Sequence, residues 1–165
     1  MEPAVIGLGG NIGTTAEIVQ RFDRARAALG VLGAVRSAPL YRSAPIGPAQ
    51  PAFLNTAVRI ALAGAQPGEL IATLLELERQ LGRARETEAR WGPRRIDLDV
   101  LVWGARTVRT PELWVPHPRL TERKFALAPL VALVGDDFVV PDVGPAGALL
   151  RQVAEQDCEE IAETW

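Results

Sequence analysis

Cysteine, methionine, histidine and tyrosine each occur once in these 165 residues, and aromatic side chains make up only 5% of the chain. The lone Cys158 excludes an internal disulfide and any cysteine-built metal centre, and it fits a reducing compartment. A metal, if the chain uses one, is therefore held by oxygen. No apolar run approaches the roughly 20 residues of a membrane span, and the opening MEPAVIGLGG lacks the basic and apolar regions of a secretory leader. A soluble, cytoplasmic protein is expected. Charge of one sign is missing too: 18 basic residues stand against 20 acidic ones, a formal net charge of -2. The chain as a whole thus offers no field for nucleic acid or an anionic membrane, and any anion site must be local. What is plentiful is apolar surface, 48% of residues, enough for one domain over 1–165 with its own core.

Lysine is also scarce, since Lys124 is the only one among the 18 basic residues. The arginines are unevenly spread. From Arg79 to Lys124 there are 11 basic residues against 6 acidic, whereas the stretch after Gly135 is acid-rich, with Arg151 as its only base. That tail reads as a solvated helix or a frayed end.

Periodicity supplies the elements. AVIGL (4–8) reads as a buried strand, and GLGGNIG (7–13) as the tight turn that leaves it, because it lacks the Lys-Ser/Thr pair and spacing of a phosphate loop. Thr14 and Glu17 form a capping box for a helix over 14–29. Residues 34–42 look extended but contain Pro39, which suits an edge strand. The Pro-rich 43–52 is a loop. Leu54, Thr56, Val58, Ile60 and Leu62 alternate as in a strand, and Pro67 opens a helix that Gly82 closes. After a loop over 82–94, RIDLDVLVW is a strand, with RTVRT as its hairpin partner. Beyond 111 come a loop, a helical piece and a last helix over 145–155. The order β-α-β-β-α-β predicts an α+β fold of ferredoxin-like type, an antiparallel sheet with helices on one face, extended by a C-terminal hairpin and helices.

On the strand RIDLDVLVW, alternation puts Asp97, Asp99 and Leu101 on one face and Ile96, Leu98, Val100 and Val102 on the other. The two carboxylates stand about 6.6 Å apart along the strand. A bare Asp-x-Asp also fits a sheet face open to water. Here Arg83, Arg85, Arg90, Arg94 and Arg95 lie just upstream, cations suited to bidentate phosphate contact. Carboxylates that can hold Mg²⁺, gathered with arginines around one anion, describe phosphoryl transfer. His117 is fixed between prolines in VPHP, and Phe53, Phe125 and Trp91 lie outside the amphipathic patterns.

The residues RWGPRRIDLDVL (90–101) resemble the signature of the 6-hydroxymethyl-7,8-dihydropterin pyrophosphokinases of folate biosynthesis. The resemblance extends in order through GGN (9–11), YRSAPIGPAQPAFLN (41–55), LGRAR (81–85) and VPHPRLTERKF (115–125). It implies transfer of the pyrophosphoryl group of ATP to the pterin's hydroxymethyl group, with release of AMP and two Mg²⁺ ions as cofactors. It further implies that Asp97 and Asp99 hold the metals and that Arg83 and Arg94 assist transfer. Arg85, His117 and Arg123 would contact the triphosphate, and Glu78 and Trp91 would line the nucleotide site. The pterin would lie between Phe53 and Phe125, read by Asn55 and by the backbone of Ser43, Pro45 and Ile46. Loops over 9–14, 43–52 and 83–94 would be mobile, and the enzyme would act as a monomer without nucleic acid or membrane. This chain departs from the family pattern at Gly10, where Ser is usual, at Glu112, and in the lengths of the last two loops.

Two other classes share the element order. An RNA-recognition module would carry stacking aromatics on its central strands, where this chain offers only Phe53. A nucleotidyl-transfer palm also mounts paired carboxylates on such a sheet and would release pyrophosphate instead of AMP.

Overall fold

The computed structural model describes residues 2–165. Its elements follow in chain order as β1 (Pro3–Gly10), α1 (Thr15–Gly30), β2 (Val35–Ser37), β3 (Leu40–Ser43), β4 (Phe53–Ala61), α2 (Pro67–Gln80), β5 (Asp97–Trp103), β6 (Val108–Arg109) and β7 (Trp114–Val115). Then come α3 (Lys124–Val134), β8 (Val139–Val140), β9 (Gly144–Pro145), α4 (Ala146–Gln152) and β10 (Cys158–Ala162). The main sheet is antiparallel in the order β10-β3-β4-β1-β5, with β2 also on β4. The fold is α+β. Among the described residues no helix is long and apolar enough to cross a membrane.

The local signals that build the first face act as expected. Thr14 Oγ1 accepts from the Glu17 N–H at 3.2 Å while Glu17 accepts from the Thr14 N–H at 2.7 Å, so both halves of the capping box are made. α1 buries Ile18, Phe22 and Leu29, and α2 buries Leu70, Leu74 and Leu77, against Ile6, Leu8, Val58, Leu98 and Val100 of the sheet. Each such Leu or Phe contributes about 1.5–3 kcal/mol when fully buried.

Helices are not confined to that face. α3 and α4 cover part of the other one, packing Leu127, Leu130, Leu133 and Leu149 against Val5, Ala57 and Leu101. The reason is compositional: FALAPLVALV is apolar nearly all round and must itself be buried. Further corrections concern the strands. A register shift between Val5 and Ile6 lets Val102 join Leu101 on the α3 side, leaving Trp103 to face α1 and α2. RTVRT does not pair with β5; Val108 and Arg109 pair with Val115 and Trp114 as a separate small hairpin. Pro39 divides the extended segment into β2 and β3, and Thr56 Oγ1 donates to the Ala38 and Pro39 carbonyls across the break. β3 is not an edge, because the acidic tail forms β10 along it. The tail is a strand because Glu159 and Glu160 stay exposed while Trp165 folds back onto Phe22 and Arg26.

α3 covers only one end of its face. The other end stays open above Asp97, Asp99, Gly7, Gly9 and Asn55, and there the cavity forms.

Candidate active site

The floor is set by strand register. Gly9 pairs with Asp97 on one side and Asn55 on the other, and Gly7 with Asp99 and Ala57. GLGG is therefore still strand, and the turn begins only at Asn11. A Cβ on Gly7 would sit 3.2 Å from the Leu101 side chain, and one on Gly9 would sit 3.2 Å from Asn55 Oδ1. The bare backbone at these two positions keeps the floor low between the carboxylates and Asn55. Glycine at period two inside a strand was the signal for this, hidden by the reading of the run as a turn.

Above the floor lies a cavity of about 390 Å³. Its walls come from the loops over 43–52 and 83–94 and from the segment 117–126. Of the residues singled out in the sequence, Arg83, Arg85, Trp91, Arg94, Asp97, Asp99, His117 and Arg123 line it, together with Ser43, Ile46, Phe53, Asn55 and Phe125. Pro45 does not reach it, and neither does Glu78. Arg119 does, and sequence reading passed it over; the ring of Trp91 lies 5.0 Å from its guanidinium.

Five arginines line this space against the carboxylates of Asp97, Asp99 and Glu122, so an acidic protein carries a locally cationic cavity. The arginines are not equivalent. Arg83 is buried and spends Nε on Glu88 at 2.9 Å and Nη1 on Asp97 at 2.7 Å, with Glu78 at 3.0 Å. Burial works against its charge, but Asp97 and Glu78 outweigh that and raise its pKa. Arg94 reaches Asp97 only at 3.6 Å, and Arg85 is half exposed. Glu78 stands behind the wall, accepting from Arg85 at 2.9 and 2.7 Å and from the Leu98 N–H at 2.8 Å. Burial pushes its pKa up, opposed by the Leu98 N–H and Arg83. It orients two arginines and the start of β5 rather than facing the cavity.

Burial and the neighbouring Asp97 push the Asp99 carboxyl up to about 7. Two oxygen donors that repel each other at one side of a cavity suit a hard cation, which would relieve that repulsion. Among the described residues no group of three His, Cys, Asp or Glu side chains comes together as a ligand set, so any metal here would draw further oxygens from substrate or water. That is the pattern of Mg²⁺ bound with phosphates. His117 accepts from the Arg119 N–H at Nδ1, 3.1 Å, and turns Nε2 toward Asp99 at 3.9 Å. Burial, then Arg123, lowers its pKa to about 4, so it is a neutral donor at neutral pH. On the opposite side Asn55 Nδ2 donates to Ser43 Oγ at 2.6 Å, a buried polar pair near Phe53.

A family profile described as 7,8-dihydro-6-hydroxymethylpterin-pyrophosphokinase matches residues 5–135, which hold every residue of this cavity. The chain belongs to that pyrophosphokinase family. A pyrophosphokinase of Synechocystis sp. is 35% identical, covering 96% of this chain and 78% of its own. One from Bacillus subtilis is 37% identical, covering 79% and 77%. A bifunctional folate synthesis protein of Arabidopsis thaliana is 37% identical over 86% of this chain, which spans only 29% of that protein. By shape, a Plasmodium falciparum HPPK-DHPS variant solved with pteroate superposes with a TM-score of 0.69 over 97% of this chain and 46% of its own, at 13% identity, which speaks to the fold alone. As a pterin pyrophosphokinase the protein transfers the pyrophosphoryl group of ATP to the hydroxymethyl group of 6-hydroxymethyl-7,8-dihydropterin and releases AMP, a step of folate biosynthesis. The RNA-binding and nucleotidyl-transfer readings are set aside with that membership.

Proposed function

We propose that the cavity divides into a triphosphate half and a pterin half. The lining of two metal-suited carboxylates and five arginines together with Phe53, Phe125 and Asn55 carries this reading, Arg123 over the Phe125 ring at 5.4 Å standing where the halves meet. The pterin ring stacks between Phe53 and Phe125, its polar edge met by Asn55 and by the backbone of the 43–46 segment. Arg85, Arg94, His117 and Arg123 receive the triphosphate, His117 as a neutral N–H donor. Arg83, buried in the cavity wall, fixes Asp97 and with Arg94 counters charge as the transferred group moves. Trp91 forms part of the lid over the nucleotide. Asp97 and Asp99 would hold two Mg²⁺ ions, which would supply neutralisation of phosphate charge.

The pterin hydroxymethyl oxygen bonds to the β-phosphorus of ATP as the bond from that phosphorus to the α–β bridging oxygen breaks. AMP leaves with the bridging oxygen, and the hydroxyl proton passes to solvent. Catalysis in this scheme is positioning plus charge neutralisation, with walls that exclude water. The residues assigned here to both substrates belong to one protomer, and the scheme takes a monomer as its working unit. The strand order, read as β3-β4-β1-β5, supports a ferredoxin-like core with β10, the small hairpins, α3 and α4 as additions.

Incubation with ATP, Mg²⁺ and the dihydropterin, followed by nucleotide chromatography, tests the scheme. AMP is the expected product, and Asp97→Ala and Asp99→Ala should each lower its rate about a hundredfold or more, since a metal contributes several kcal/mol to such a transition state. Near-normal Mg²⁺-dependent turnover in either variant would remove its carboxylate from the metal role.

A further inference from the structure

Two side-chain amides beside the cavity have no part in the scheme above. Asn11, buried in the turn after β1, exchanges two bonds with Arg94: its N–H donates to the Arg94 carbonyl at 2.9 Å, and its Oδ1 accepts from the Arg94 N–H at 2.8 Å. Its Nδ2 donates to the Pro51 carbonyl at 2.9 Å and to Gln50 Oε1 at 3.0 Å. Gln50 in turn donates through Nε2 to the Trp91 carbonyl at 2.7 Å and to its neighbour Pro48 at 3.2 Å. Arg94, Asn11, Gln50 and Trp91 are thus linked by a chain of hydrogen bonds across three loops, its two ends three residues apart in the 83–94 loop. Among the described residues, the bond from Gln50 to Trp91 is the only hydrogen bond between the 43–52 and 83–94 loops. It falls at a demanding place. Trp91 has φ 59, a backbone conformation that bulky L-residues avoid, and persists there only while its surroundings hold it. The Gln50 amide presents an acceptor to Asn11 and a donor to Trp91 at once, which a carboxylate of the same length does not.

We propose that Gln50, held by Asn11, is a positioning residue that couples the two loops, so that closure over one substrate favours closure over the other. This rests on the assignment of the 43–52 loop to the pterin and the 83–94 loop to the triphosphate. Coupling of this kind is reciprocal: the pterin tightens nucleotide binding by the same factor as the nucleotide tightens pterin binding. Gln50→Glu keeps the acceptor for Asn11 and loses the donor to Trp91 and Pro48, setting a carboxylate against their carbonyls, whereas Gln50→Ala loses donor and acceptor alike.

Titration calorimetry with a non-cleavable α,β-methylene ATP and Mg²⁺, with and without saturating dihydropterin, measures the coupling factor. Both variants should reduce that factor about fivefold, the worth of one net hydrogen bond, with pterin-free nucleotide affinity held within about twofold. In turnover, kcat should fall while the KM for ATP measured at low pterin changes little. A merely structural role would lower the melting temperature or weaken both titrations equally, leaving the factor unchanged, and that result in Gln50→Glu overturns the proposal. Independent binding of the two ligands in the unsubstituted protein overturns it as well. AMP formation in the same preparation would show that the reaction itself still stands.

Discussion

Arg83 and Arg94 look alike in sequence, two arginines flanking one loop, yet they stand in different environments. The Arg83 side chain is only 3% exposed and shares its charge with Glu78, Glu88 and Asp97. Its removal leaves the buried Glu78 with Arg85 as its remaining ion-pair partner, and breaking a buried pair costs about 3–5 kcal/mol. Arg94 makes one long contact and is partly open to the cavity. Arg83→Ala should therefore lower the melting temperature by roughly 6–20 °C as well as activity, whereas Arg94→Ala should lower kcat with little change in melting. Thermal unfolding beside steady-state kinetics separates the two, and equal melting temperatures would show that Arg83 is not a structural hub. Gly10 has a similarly local explanation. A Cβ there would lie 2.6 Å from the Arg95 carbonyl, so glycine admits a close approach of the 94–95 backbone that a side chain would push away.

The loop over 83–94 is the element whose behaviour matters most. Three of its arginines already face carboxylates, Arg83 those of Glu78, Glu88 and Asp97, Arg85 that of Glu78 and Arg94 that of Asp97, so a triphosphate would compete with these for them. It also has anchors within the chain: Trp91 lies 5.1 Å from the Arg90 guanidinium and 5.0 Å from that of Arg119, with its carbonyl held by Gln50. Trp91 lines the cavity, whereas Trp103 is buried and Trp114 and Trp165 do not reach it, so ligand-dependent emission should come from Trp91. A blue shift is expected when the ATP analogue, Mg²⁺ and the pterin are all present, and it should vanish in Trp91→Phe. Persistence of the shift in that variant would place the signal elsewhere and remove the lid role.

At the scale of the whole molecule, the C-terminal segment lies beyond the stretch matched by the family profile and still belongs to the fold. β10 lies along β3, and Trp165 donates from Nε1 to the Ala38 carbonyl at 2.8 Å, stacks 4.2 Å from the Arg26 guanidinium and meets Phe22 edge-on. Trp165→Ala removes all three contacts on the side of the sheet away from the cavity. It should cost about 2 kcal/mol and lower the melting temperature by about 4–8 °C, with kcat at 25 °C unchanged. A matching loss of kcat would mean that the edge strand supports the 43–52 loop rather than the core alone.

Much of this was legible from the chain. The capping box of α1, the apolar stripe of α2, the alternation along β4 and the placement of Asp97 and Asp99 on one face are local patterns with a period of 3.6 or 2, and local periodicity suffices to specify them. The resemblance to a known signature supplied the pterin, which no local pattern encodes. Tertiary structure alone decided that α3 covers the second face, that Val102 turns with Leu101 after a register shift, that the acidic tail becomes an edge strand and that Glu78 stands behind the cavity. It also decided which arginine is a buried hub and which faces the ligand. Each of these depends on partners far apart in sequence, and a contact such as that between Gln50 and Trp91 has no periodicity by which the chain could announce it.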